Sequence, residues 1–106
     1  MKQVMVRYKV KPERAAENVE LVRAVYAELN EMKPTGLRYA TFRLEDGVSF
    51  VHLASHVSAD GQNPLSEVQA FQRLQEHIDD RCEEGPVVSS LREIGSYRFL
   101  GAGASR

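Results

Sequence analysis

Apolar and polar side chains alternate through "VMVRYKV", with Val4, Val6, Tyr8 and Val10 on one side and Met5, Arg7 and Lys9 on the other. A period of two belongs to a strand, whose successive side chains point to opposite faces of a sheet. Beyond Pro12 the period lengthens. Ala15, Val19, Val22, Tyr26 and Leu29 recur at spacings of three and four, which predicts an amphipathic helix with the proline in its first turn, where the missing N–H removes no bond. This helix runs to about Met32 and stops before Pro34-Thr35-Gly36.

The segment from Gly36 to Val57 contains two β-rich runs around Asp46-Gly47. Asp-Gly is favoured in two-residue turns with positive φ at both central positions, so the segment predicts a hairpin. Counting outward from the turn pairs Leu44 with Ser49, Phe42 with Val51, Ala40 with Leu53 and Arg38 with Ser55 on one face. The other face carries Arg43 with Phe50, Thr41 with His52, Tyr39 with Ala54 and Leu37 with His56. After the polar "SADGQNP", the stripe Val68, Phe71, Leu74, Ile78 and Cys82 predicts a second helix closed by Gly85-Pro86. Its cap is either Ser66, with Gln69 reaching back, or Asn63 ahead of Pro64. "VVSSLREI" reads as a short helical turn or loop, "SYRFL" as a last strand, and "GAGASR", residues 101–106, as a flexible tail after one domain of residues 1–100.

The order is βαββαβ, the α+β ferredoxin-like plan of a four-stranded antiparallel sheet with two helices on one face. Helices cover only one side, and the ring-rich side holding Leu37, Tyr39, Phe50, His52 and His56 is unlike a solvated surface. These five residues are therefore expected at a homodimer interface. His52 and His56 do not read as a metal site: at ~3.3 Å rise per residue their Cα atoms lie roughly 13 Å apart on a strand.

Composition narrows the partners. The 14 Lys and Arg against 15 Asp and Glu give a net charge of -1 over 106 residues, which favours neither nucleic acid nor an anionic membrane surface. No segment approaches the ~18 apolar residues of a membrane span, and the alternating N-terminus lacks a signal-peptide core, so a cytoplasmic protein is expected. Cys82 is the single cysteine, which excludes an intrachain disulfide and a cysteine-rich metal framework. Glu83 and Glu84 beside it disfavour a nucleophilic thiolate. The acidic run "EHIDDRCEE" reads as a solvated helix face rather than a metal site. Phosphate loops, a Gly-x-Ser-x-Gly elbow and His-Glu-x-x-His are all absent from the sequence.

A βαββαβ chain of this length whose second sheet face calls for burial resembles the dimeric α/β-barrel superfamily, with the antibiotic biosynthesis monooxygenase-like families closest in plan. The resemblance covers roughly residues 2–100 and rests on element order. It implies two sheets packed face to face, and in each protomer a cavity between sheet and helices for a small apolar or aromatic molecule. The haem-degrading branch uses an Asn on the first strand, a Trp near the second helix and a His on that helix. Here Arg7 takes the approximate place of the Asn and the chain has no Trp, so only His77 carries over.

The cofactor-free branch oxidises electron-rich phenols and needs an apolar cavity with groups that stabilise a phenolate. Tyr8, Tyr26, Phe42 and Phe71 are the expected lining, with His77 and Arg7 as the expected catalytic pair, Arg38 as a further anion partner, and no cofactor or metal. The same residues also suit an ordinary core. A non-catalytic dimerisation or stress-associated domain, or an isomerase or decarboxylase with His77 or His52 as base, are the alternatives.

Overall fold

The computed structural model describes residues 2–57 and 63–99. Its elements are β1 (Lys2–Val10), α1 (Ala15–Met32), β2 (Leu37–Arg43), β3 (Ser49–His56), α2 (Gln69–Gln75), α3 (Ile78–Arg81) and β4 (Cys82–Ser90), with single 3₁₀ turns at Pro12–Arg14 and Pro64–Glu67. The strands form one antiparallel sheet in the order β2-β3-β1-β4, the ferredoxin-like topology. No helix among the described residues is long and apolar enough to cross a membrane.

The hairpin register agrees with the sequence count at every pair from Leu37–His56 to Arg43–Phe50. Its turn is of another kind. Only Gly47 has positive φ, and the Asp46 carboxylate accepts from the Val48 and Ser49 amides and from the Ser49 hydroxyl. Those three donors hold its pKa down to about 2. Gly36 is required at the other end of β2: its φ is +77°, and a Cβ there would lie 2.4 Å from the Val57 carbonyl oxygen.

Helix α1 buries Ala15 and Val22 of the expected stripe together with Asn18 and Val25, leaves Val19, Tyr26 and Leu29 half-buried, and ends on Lys33, in the left-handed conformation, whose amide bonds the Leu29 carbonyl. The second helix is shorter than its stripe predicts. It stops at Gln75, Glu76 is extended, His77 is left-handed at φ 56°, and a one-turn α3 leads directly into β4. Ile78 and Cys82 are core residues as expected, but they pack with Tyr8, Val10, Ala15 and Phe50 rather than prolonging α2. Asn63, not Ser66, makes the cap, accepting from the Leu65 amide at the preceding 3₁₀ turn.

The last strand is also displaced. It is "CEEGPVVSS", so Gly85-Pro86 lies within β4 instead of closing a helix. An edge strand accommodates proline where pairing is irregular. Arg7 pairs Val87 whereas Lys9 pairs Glu84, which puts Pro86 inside a bulge. Residues 91–99, expected to include the start of the last strand, form neither helix nor strand and expose Ile94, Tyr97 and Phe99. The tail expected at 101–106 lies outside the described residues.

The largest correction concerns the sheet faces. Leu37, Tyr39, Phe50, His52 and His56 do not line the uncovered face; they point toward the helices, with Tyr8 and Val10 of β1 beside them. Alternation fixes which residues share a face but is blind to which face the helices take. The uncovered side carries Met5, Arg7, Ala40, Phe42, Val51 and Leu53, so Phe42 is not beside Tyr8 and Phe71.

Candidate functional site

Under α1 a row of rings crosses three strands. Phe50 and Tyr8 stack with centroids 5.7 Å apart, Tyr8 and His52 at 5.3 Å, His52 and Tyr39 at 5.8 Å, and Tyr39 and Tyr26 at 5.3 Å, all with ring planes within 30° of one another. Phe71 of α2 meets Tyr39 edge-on at 6.2 Å, and the Arg43 guanidinium lies over Phe50 at the other end. The row follows from register, because Val6, beside Tyr8 on β1, pairs with His52, and Thr41, beside Tyr39 on β2, pairs with His52 from the other side.

Polar groups are threaded through this row. The Tyr8 hydroxyl lies 2.8 Å from His52 Nε2 and accepts from Asn18 Nδ2 at 3.0 Å. His52 Nδ1 lies 2.6 Å from the Tyr39 hydroxyl and 3.1 Å from Thr41 Oγ1, which also bonds the Tyr26 hydroxyl at 2.8 Å. Asn18 Oδ1 accepts from Arg81 Nε at 3.3 Å, and the rest of that guanidinium donates to the carbonyls of Leu74 and Glu76. Arg81 thereby satisfies the carbonyls at the broken end of α2.

Burial sets the electrostatics. His52 is 5 % exposed, and desolvation lowers its pKa to about 4, so it is neutral at physiological pH. Desolvation raises Tyr8 and Tyr26 to about 12 and Tyr39 further still, the Asn18 bond and the charge of Arg81 moderating the rise at Tyr8. Burial also pushes the Cys82 thiol up, which leaves it a core residue.

The expected site residues divide. Tyr8, Tyr26 and Phe71 come together, and His52 and Tyr39, expected at an interface, join them. His77 does not: its side chain is 81 % exposed, with Nδ1 3.8 Å from the Asp80 carboxylate, because the left-handed turn swings it off the core. Arg7 and Arg38 are exposed as well, on the sides of β1 and β2 away from the helices. His56 is buried, and its Nδ1 has no hydrogen-bond partner among the described residues. An open hollow of about 280 Å³ at the ends of β2 and β3, lined by Gly36, Leu37, Arg38, Ser55 and Val57, includes none of the stacked rings. Among the described residues no group of three or more His, Cys, Asp or Glu is placed to hold a metal.

Asn18 and Arg81 are the site residues that patterning passed over. Both left a trace: each is a polar residue at an apolar position of its helix, Asn18 between Ala15 and Val22, Arg81 three after Ile78.

No family model matches the sequence, and no curated relative does either. Solved structures do match. One described as an antibiotic biosynthesis monooxygenase is 20% identical over 90% of this chain and 100% of its own, with a TM-score of 0.70. Rv0793 from Mycobacterium tuberculosis is 16% identical over 90% and 96% at 0.65, and PA3566 from Pseudomonas aeruginosa 12% over 89% and 94% at 0.70. At these identities the likeness is one of fold, and over nine-tenths of its length this chain has the ferredoxin-like fold of the antibiotic biosynthesis monooxygenase-like structures.

Proposed function

We propose that the chain is a homodimer that binds a small flat aromatic molecule against the row of rings and oxygenates an electron-rich phenol there without a cofactor. The observation that carries this reading is the union of a π-stack with a chain of hydroxyl and imidazole groups in one layer beneath the helices. Tyr26, Tyr39 and Phe71, half-buried at the β2 end of the row, would offer apolar area to a planar guest, and the hydroxyls of Tyr39, Thr41 and Tyr26 there would offer bonds to a ring oxygen. A phenolate so held can pass an electron to dioxygen. The ring loses two hydrogens and gains one oxygen atom, and the second oxygen leaves as water with those hydrogens, so no external reductant is required.

The dimer half of the reading rests on the uncovered sheet face, where Met5, Ala40, Phe42, Val51 and Leu53 are only half-buried in a single chain. A second copy over this face would remove them from water. The close packing of Tyr8 and Phe50, each almost wholly buried, favours the alternative of a dimerisation domain whose interior is filled by its own side chains.

Oxygen uptake with a panel of polycyclic phenols separates the two. Saturable uptake that falls at least tenfold in Tyr39→Phe supports the oxygenase. Absence of both uptake and phenol-induced chemical-shift changes at Tyr39 and Phe71 leaves the dimerisation domain.

A further inference from the structure

Hydrogen-bond bookkeeping gives the buried chain a direction. Arginine only donates, so the side of the Asn18 amide that faces Arg81 is its oxygen and the side that faces Tyr8 is its NH₂. The Tyr8 oxygen therefore receives a hydrogen from Asn18. Among the described residues its own hydrogen has one partner, His52 Nε2 at 2.8 Å. A hydrogen on Nε2 would point two donors at the Tyr8 oxygen and leave the hydroxyl hydrogen with no acceptor among the described residues in a buried site, an arrangement that folding disfavours.

We infer that Asn18 and Arg81 are positioning residues that fix His52 in the tautomer carrying its hydrogen on Nδ1, so that donors run one way from Arg81 through Asn18, Tyr8 and His52 to the Tyr39 hydroxyl. Arg81 is 2 % exposed, bonds carbonyl and amide oxygens, and among the described residues forms no ion pair with a carboxylate. Its charge is thus free to polarise the chain. Tyr39 receives from His52 and keeps its own hydrogen to give. If the phenol-binding reading holds, the group offered to a guest is a donor. The end of the chain would then select phenolate, enolate or quinone oxygens over guests that must donate.

The tautomer is measured directly by long-range ¹H–¹⁵N spectra of the ligand-free full chain at neutral pH, with His52→Gln identifying the signals. The expected result is a pyrrole-type Nδ1 and a pyridine-type Nε2 at His52. A hydrogen on Nε2 in the wild type overturns the inference at once. Asn18→Asp supplies a carboxylate that cannot donate to Tyr8, so Tyr8 turns its hydrogen toward it and accepts from His52. The two nitrogen signals are then expected to exchange character. An unchanged pattern in that folded variant overturns the role of Asn18. Should the variant not fold, Asn18→Ala frees Tyr8 from its donor and is expected to give a mixture of tautomers, and a single unchanged tautomer again sinks the assignment. A merely structural asparagine would leave these signals alone. Because no ligand is present, an inert phenol in the oxygen-uptake assay has no bearing on this result.

Discussion

At the scale of single residues, His52 ties stability to pH. Its folded pKa of about 4 lies below the ordinary 6.5, so between these values the unfolded chain binds the extra proton. Stability from this residue is therefore fully present above about pH 6.5 and is lost as pH falls toward 4, by on the order of 3 kcal/mol. Urea unfolding of the wild type and of His52→Gln across that range checks it: the two curves should converge as pH drops. A constant gap would mean that His52 does not stay neutral on folding. The chemistry of this residue was only partly legible in the sequence. "FVHLASHV" revealed two histidines on one strand face and excluded a shared metal by distance. The partners of His52 were not legible, because Tyr8, Asn18 and Tyr39 come from three other elements and meet only through strand register and helix placement. A resemblance of plan directed attention to His77 and Arg7 instead, and neither reaches the buried rings.

At the scale of elements, local pattern succeeded where one period governed a whole segment and failed where two elements shared it. The hairpin register came out right because Asp46-Gly47 anchors it, even with only Gly47 at positive φ. The second helix came out too long because Ile78 and Cys82 continue the spacing of Val68, Phe71 and Leu74 while belonging to α3 and β4. A seven-residue helix such as α2 is too short to hold itself and depends on outside contacts. Glu28 supplies one: its two carboxylate oxygens accept from the Gln69 and Ala70 amides at 3.0 and 2.9 Å, joining α1 to the start of α2. Glu28→Ala leaves two helix N–H groups without this partner and is expected to cost about 1–2 kcal/mol. The measurement is a lower urea midpoint at unchanged slope, with faster amide exchange confined to α2. An unchanged midpoint would mean that water replaces the carboxylate at no cost.

At the scale of the whole molecule, alternation divided the sheet residues between two faces without telling which face the helices take. The face that meets the helices carries the hydrogen-bonded rings, and the uncovered one carries Met5, Ala40, Phe42, Val51 and Leu53. A four-stranded face about 19 Å wide and about 26 Å long offers about 500 Å² per copy, so two copies would bury about 1000 Å² in all, near the lower bound for a specific interface. The projecting residues 91–99, with Leu91, Ile94, Tyr97 and Phe99 exposed, would add to that area if they lay across the partner. Two glutamates separate the faces experimentally. Leu53→Glu puts a charge in the middle of the proposed interface, where each copy meets the other's charge, and is expected to give folded monomers by light scattering. Leu37→Glu instead forces a charge into the layer beneath the helices, where Leu37 packs with the core, and is expected to lose the fold before it changes assembly. A dimer that survives Leu53→Glu, or a wild type that is monomeric at high concentration, would refute the face-to-face arrangement and leave the apolar sheet side in need of another partner.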